Sequence, residues 1–275
     1  MGTLVVFHAH PDDEAIATGG SMARAHAEGH RVVLVVATNG EHGEVPDDLA
    51  DGETLADRRR AETERSAKAL GVDEVVWLGY ADSGMTGWDA NANETSFLRA
   101  DLDEAAARLA AILREQRADV LTIYDWHGNY GHPDHIKVYQ VGSRAEEIVA
   151  DDLPQLRVFE ATMNRDEIRR QMEMARASGQ QFEPDVEGGE FDPDGPMDDG
   201  NPMGMPEAEL TMMVDVSDFV SNKFEAISAH ASQVTDAGFF TRMTPEMFAF
   251  AFGREWYIEH GREQGLQAGW LFDPL

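Results

Sequence analysis

The chain has 275 residues, carries 52 Asp and Glu against 22 Lys and Arg for a formal net charge of −30, and has no cysteine. That length suits one large α/β domain or two smaller ones, and the charge disfavours nucleic acid and anionic membranes as partners. Without cysteine there is no disulfide framework, and a transition metal must be held by His, Asp and Glu.

No basic segment runs into an apolar one, and no apolar run reaches the length of about 18 residues that a membrane span needs, so a cytoplasmic protein without signal peptide is expected. Lysine occurs only at Lys68, Lys137 and Lys223, while the carboxylates are scattered along the whole chain. A surface of this kind repels itself unless salt screens it, so adaptation to a high-salt (halophilic) cytoplasm is expected. A single acidic patch docking a basic partner is disfavoured, because the charge is not concentrated.

In chain order, residues 3–7 form an apolar first strand. Residues 15–30 carry apolar side chains at helical spacing and stop at Gly29. Residues 31–38 are apolar on both faces, as a central parallel strand should be. Residues 39–57 read as a loop above the strand ends, residues 58–70 as a helix and 74–78 as the third strand. A loop over 80–93 precedes an amphipathic helix over 97–117 and a fourth strand over 120–124. Residues 125–132 form a polar, aromatic loop, followed by a helix from Pro133 to about Asp151.

This βαβαβαβα order predicts an α/β fold, a Rossmann-like, mostly parallel sheet with helices on both faces. In the strand order 3-2-1-4-5, strands one and four are neighbours at the switch point where ligands bind. Beyond residue 155 the pattern weakens. A fifth strand is expected over 156–162, a helix over 165–177, a sixth strand over 210–214 and a helix over 218–231. Residues 180–206 hold five prolines and eight carboxylates and read as an irregular or mobile loop. They lack the regular spacing of a calcium loop. Phe239, Phe240, Phe248, Phe250, Phe252 and Trp256 are expected to pack. One domain spans 1–275, with its metal-binding core over 1–152 and a C-terminal, substrate-side part over 153–275.

Two motifs carry chemistry. His8-Ala-His10-Pro11-Asp12-Asp13-Glu14 follows the first strand, and Tyr130-Gly-His132-Pro133-Asp134-His135 follows the fourth. Two imidazoles and three carboxylates at a strand edge are costly to leave unpaired, and a divalent metal accounts for them. Catalytic zinc takes about three protein ligands and leaves a position for water, and His10, Asp13 and His135 supply such a set. Asp12, beside a ligand, is placed as general base. A protonated His132 is expected to stabilise an oxyanion or donate to the leaving group, with Asp134 either orienting it or capping the helix. Tyr130 is expected near the substrate carbonyl. Together these are the parts of metal-assisted amide or ester hydrolysis.

His8 reads as a core or supporting histidine, and Glu14 as support for the helix start. His230 stays open between core and pocket. His26, His30, His42, His127 and His260 take the structural reading.

At these residues the chain resembles the PIG-L/LmbE-like zinc deacetylases, through HPDDE at His10–Glu14 and HPDH at His132–His135. It resembles most the branch with the mycothiol-pathway deacetylase and the mycothiol-conjugate amidase. The likeness continues through residues 18–30, 39–45, Arg59 with Glu62, 70–72, DSGM at Asp82–Met85 and KFEAISAHASQ at Lys223–Gln233. It implies Zn2+ (Fe2+ as the alternative) on His10, Asp13 and His135, Asp12 as base, His132 and Tyr130 at the reacting carbonyl, and Arg59 and Asp82 gripping sugar hydroxyls. The implied substrate is a small N-acetylglucosaminyl compound, cleaved to amine and acetate. The departure is the acidic chain, which leaves the aglycone open, as are homo-oligomerisation and amidase action on another glucosaminyl conjugate. An amidohydrolase barrel built on His8-Ala-His10 needs eight strand–helix units, more than the sequence offers. A silent sugar-binding protein of the same fold would be expected to have lost a ligand or the base, and none is lost.

Overall fold

A computed structural model describes residues 1–178, 191–233, 238, 240 and 242–274. Its centre is an eight-stranded sheet: β1 (Thr3–His8), β2 (Arg31–Thr38), β3 (Glu74–Tyr80), β4 (Val120–Tyr124), β5 (Arg157–Thr162), β6 (Met212–Asp215), β7 (Arg254–Glu259) and β8 (Gln267–Ala268). The strands lie in the order β3-β2-β1-β4-β5-β7-β6-β8. The first five are parallel, β7 runs antiparallel to β5 and β6, and β8 pairs parallel with β6. The expected 3-2-1-4-5 order is therefore present, extended by three strands at one edge.

Strand β1 is buried throughout and β2 nearly so, as their unbroken apolar runs require. One face of the sheet is covered by α4 (Leu102–Gln116) and α6 (Pro133–Val149), whose Leu109, Leu113, Val138 and Val141 pack on Val5, Phe7 and Val33. The other face takes α2 (Gly19–Ala27), α3 (Leu55–Ala69) and α8 (Val220–Ala229), around Leu4, Val6, Met22, Ile227 and Tyr257. No helix among the described residues is long and apolar enough to cross a membrane.

Several element boundaries differ from expectation, each for a local reason. The helix expected over 15–30 is two helices, α1 (Asp13–Ala17) and α2, broken at Thr18, whose hydroxyl bonds His8 Nε2 at 2.8 Å. Helix α3 starts at Leu55 rather than Arg58, because Thr54 and Asp57 form a reciprocal capping box. Helix α4 begins after Asp101, which caps Glu104 N–H at 2.9 Å. Phe97 lies before it, buried edge-on against Phe7. A short turn of helix, α5 (Gly128–Gly131), precedes α6, and α7 (Arg165–Ser178) matches the helix expected over 165–177. Of the acidic loop, residues 191–206 are turns and irregular chain, and the expectation for 180–190 lies outside the described residues, as does that for Phe239. Phe248 is buried as expected, but Phe250 is 46% exposed on α9 (Pro245–Phe252).

Strand β7 was not anticipated because it buries charge. Glu255 accepts Gly20 N–H at 2.8 Å and Ser21 N–H at 2.9 Å, capping α2, and pairs with Lys223 Nζ at 2.7 Å. Both members of this pair are almost fully buried. Removing one partner of such a pair leaves an uncompensated charge, so Glu255→Ala should destabilise the fold by about 3–5 kcal/mol in denaturant unfolding. A change under about 1 kcal/mol would mean that the pair is solvated.

The net charge of −30 makes a second expectation. Raising KCl from about 0.1 M to above 1 M shortens the screening length from about 10 Å to about 3 Å. The thermal midpoint should rise with it, by about 2–4 °C for each ~1 kcal/mol of relieved repulsion. A midpoint that stays flat or falls would show that repulsion is not limiting.

Candidate active site

Strands β1 and β4 are neighbours, paired through Val6 and Thr122, so the loops leaving their carboxyl ends meet. A cavity of 480 Å³ opens there and is lined by every predicted site residue except Asp134, which lies fully buried behind it. Loops after β2 and β3 bring in His42, Gly43 and Asp82, and α3 brings in Arg59.

The centre is a knot of imidazoles and carboxylates. Asp13 accepts the His10 backbone N–H at 2.8 Å, and its two oxygens lie 3.4 Å from His10 Nδ1 and 3.3 Å from His135 Nε2. His10 Nε2 lies 3.3 Å from Asp134 and 3.5 Å from Asp82. Ring nitrogens of His10, His132 and His135 fall within 4.8 Å of one another, as do ligand atoms of His10, Asp82 and Asp134. Asp13 joins His10 and His135 pairwise, one oxygen to each.

The clustered donors suit a divalent metal. Tetrahedral bonds of about 2.0–2.2 Å place ligand atoms roughly 3.3–3.5 Å apart, and Asp13 lies at that spacing from each of two imidazoles, through a different oxygen for each. The groups whose ligand atoms all fall mutually close are His10, His132 and His135, and His10, Asp82 and Asp134. The donors are nitrogen and oxygen only, a set that suits several divalent first-row metals.

Electrostatics tie the knot together. Burial works against charge on Asp13, yet His135 and His10 hold its carboxyl well below the usual range. Burial likewise opposes a charged His10, but Asp82, Asp13 and Asp134 outweigh it and hold the ring well above the usual imidazole value. Asp82 is depressed in spite of burial, because His10 and the N–H groups of Gly84 and His42 favour the anion.

Asp12 stands apart. Its φ of 100° is a conformation that a residue with a side chain rarely adopts, and such positions cost about 1–3 kcal/mol. Two contacts hold it there: its N–H donates to Glu14 Oε2 at 2.9 Å, and its carboxylate takes Arg59 Nη2 at 3.0 Å. Burial pushes the Asp12 carboxyl up to about 6, with Arg59 pulling against it and Asp13 adding to it.

Arg59 also donates to Gly40 O at 2.8 Å and to Pro11 O. Gly40 has a φ of +62°, and a Cβ there would overlap the guanidinium, so the loop after β2 needs glycine to admit Arg59. Arg59 thus reaches the cavity while clamping two loops, with its Nε buried and unpartnered.

Two expectations need correcting. Asp134 does not reach His132 with its carboxylate, which takes Ser83 N–H at 2.9 Å, the Ser83 hydroxyl, and His10. The Asp134 backbone N–H instead donates to His132 Nδ1 at 3.1 Å, making His132 the cap of α6. Nδ1 is therefore an acceptor, and a neutral His132 carries its proton on Nε2. Nor do its surroundings favour a cationic ring. Burial, with His10 and His135 beside it, pushes His132 down to about 2.

Tyr130 OH lies 3.5 Å from His135 Nε2, with its ring edge-on to His135. His8 is structural. Its nitrogens bond Tyr124 OH at 2.7 Å and Thr18 at 2.8 Å, and burial lowers it to about 4.

Glu14 does more than support a helix start. It is buried and binds His230 Nε2 at 2.7 Å and the Ser66 hydroxyl as well as Asp12 N–H. His230 is thereby resolved as a buried ion-pair partner behind Asp12. The only sequence signal for it was the 223–233 patch, which carried no role. Gln233, from the same patch, lines the cavity and takes Glu44 N–H at 3.0 Å.

Fold and site together define an α/β protein with a metal-competent pocket at the switch point of its sheet. The family model for PIG-L, the GlcNAc-PI de-N-acetylase, matches residues 5–146. The chain belongs to the PIG-L family. It is 36% identical to a 1D-myo-inositol 2-acetamido-2-deoxy-alpha-D-glucopyranoside deacetylase of Thermomonospora curvata, over 97% of this chain and 96% of the relative. It is 42% identical to the deacetylase of the same name in Thermobifida fusca, over 86% and 84%. Among solved structures it is similar to the N,N'-diacetylchitobiose deacetylase of Pyrococcus horikoshii, with a TM-score of 0.59, 22% identity, and coverage of 94% of this chain and 83% of that one. It is also similar to GalB, the 4-carboxy-2-hydroxymuconate hydratase of Pseudomonas putida, with a TM-score of 0.60, 16% identity, and coverage of 96% and 98%. Those structural likenesses speak to the fold alone.

Proposed function

We propose that the chain is a zinc-dependent N-deacetylase that removes acetate from a small N-acetylglucosaminyl compound, with the ion on His10, Asp13 and His135. The observation that carries this reading is Asp13 lying 3.3–3.4 Å from both imidazoles, with the strained Asp12 next to it in the same cavity. The names of the curated relatives support the substrate class. Zinc is a Lewis acid that polarises a carbonyl and makes water a nucleophile near neutral pH.

The residues of the chain do the rest. Asp12 accepts the proton of the attacking water, its carboxylate aimed by Arg59 and its backbone fixed by Glu14. His132 acts as a neutral donor through Nε2, since Nδ1 is committed to the helix cap. Tyr130 OH, near His135, supplies a second donor to the developing oxyanion. Asp134 and Ser83 hold His10 from behind. Asp82 and Arg59 line the wall that receives sugar hydroxyls.

The test is acetate and amine release from N-acetylglucosaminides by zinc-loaded protein in KCl, with a chelator control. Equimolar acetate and amine, abolished by chelation and restored by zinc, is the expected result. Bound zinc without product from any such substrate would favour a binding protein of the same fold.

A further inference from the structure

Next to the candidate active site lies a second cavity, of 370 Å³. Ile16, Ala17, Asn129, Met163 and Phe240 line both cavities, so the two share a wall. None of the three clustered imidazoles lines the second one. Its far side is made of Ile168, Met172, Met203, Phe252 and Trp256.

Several polar side chains reach this cavity, but they are committed to the protein. Asn129 accepts Met163 N–H at 3.0 Å and donates to Ala161 O at 3.4 Å. Asn164 accepts Glu167 N–H at 3.1 Å and donates to Glu207 at 3.0 Å. Glu167 pairs with Arg170 at 2.9 Å and Arg254 at 3.2 Å, and Lys223 pairs with Glu255 at 2.7 Å. A polyhydroxylated group entering here would give up water and find few partners. An alkyl or aryl group would meet apolar walls, three of them flexible methionines that adapt to shape.

We infer that this cavity receives a nonpolar aglycone of the N-acetylglucosaminyl substrate. The inference rests on the deacetylase reading above and specifies its substrate class. The acyl group of that reading is acetate, whose methyl cannot account for a space of 370 Å³, a volume in the range of ligand pockets. The larger substituent of the sugar is the one that fits. On this inference the chain prefers an alkyl aglycone to the inositol for which its relatives are named.

The experiment uses the zinc-loaded full chain and methyl, butyl and octyl N-acetylglucosaminides, an inositol-linked N-acetylglucosaminide, and N-acyl glucosamines of increasing acyl length. Both kcat/KM and calorimetric Kd are measured. Along the glycoside series each should improve by about fourfold per fully buried methylene until the cavity is filled, with the octyl glycoside ahead of the inositol one. Met172→Glu, and the milder Ile168→Asn on a half-buried position, should flatten that gradient while leaving turnover of the methyl glycoside unchanged.

Hydrolysis with no dependence on alkyl length overturns the inference and leaves the deacetylase reading intact. So does a gradient that follows acyl length instead. Affinity that rises with alkyl length without cleavage of any compound supports the cavity and overturns the deacetylase reading. Neither binding nor cleavage overturns both.

Discussion

Replacing Asp12 with alanine is expected to abolish turnover while the protein keeps its zinc. Asp12 is placed as base and not as ligand, and a positioned general base contributes about 10²–10⁴-fold to rate. The loss should therefore fall in kcat, at unchanged metal content by elemental analysis. Alanine also removes the carboxylate that Arg59 meets at 3.0 Å, so some stability goes with it. Asp12→Asn keeps an acceptor for Arg59, and asparagine tolerates positive φ better than alanine does. It should match alanine in lost activity but exceed it in thermal midpoint. Unchanged turnover in either variant would remove Asp12 from the mechanism. The same assignment fixes the sign of the acid limb. Protonation disables the base, so activity falls as pH drops through the carboxyl value, about 6 for the metal-free pocket and lower beside a cation.

His135→Ala should lose the metal and turnover together. Outer-sphere partners of a metal ligand are worth roughly 10–100-fold in affinity, and deletion of one of three direct ligands should exceed that. A thermal readout separates this from simple unfolding. Zinc at about 100 times its Kd stabilises the wild type by about 2.7 kcal/mol. That shift should vanish in His135→Ala, even though its metal-free form has also lost the stacking of the ring on Tyr124 at 4.3 Å. A variant that still gains stability from zinc at the same concentration would place the ion elsewhere.

The first half of the fold was legible because its signals are local and redundant. Unbroken apolar strands such as Arg31–Thr38 announce a buried parallel sheet, and once the order is 3-2-1-4-5 the His10 and His135 loops must meet. Strand β7 was hidden because its buried face carries Glu255 and Glu259, whose partners Lys223 and Arg157 come from distant elements. The split of α1 from α2 depends on Thr18 reaching His8, which no periodicity reports.

In the site, the spacing of HPDDE and HPDH was enough to nominate candidate ligands and a candidate base. It could not reveal which way Asp134 turns, because its partner Ser83 sits 51 residues away on the loop after β3. Glu14 and His230, 216 residues apart, likewise meet only in the folded molecule. The motif names the parts of the cluster, and long-range packing decides which groups aim them.

The proposed chemistry requires one cation joining the loops after β1 and β4. Diffraction from zinc-loaded crystals, recorded on both sides of the zinc absorption edge, tests this most directly. The expected result is a single anomalous peak bonded to His10, Asp13 and His135 at about 2.0–2.2 Å, with Asp12 outside bonding distance. A peak bonded to His10, Asp82 and Asp134 instead, or no peak at the cluster in protein that releases acetate, would contradict it.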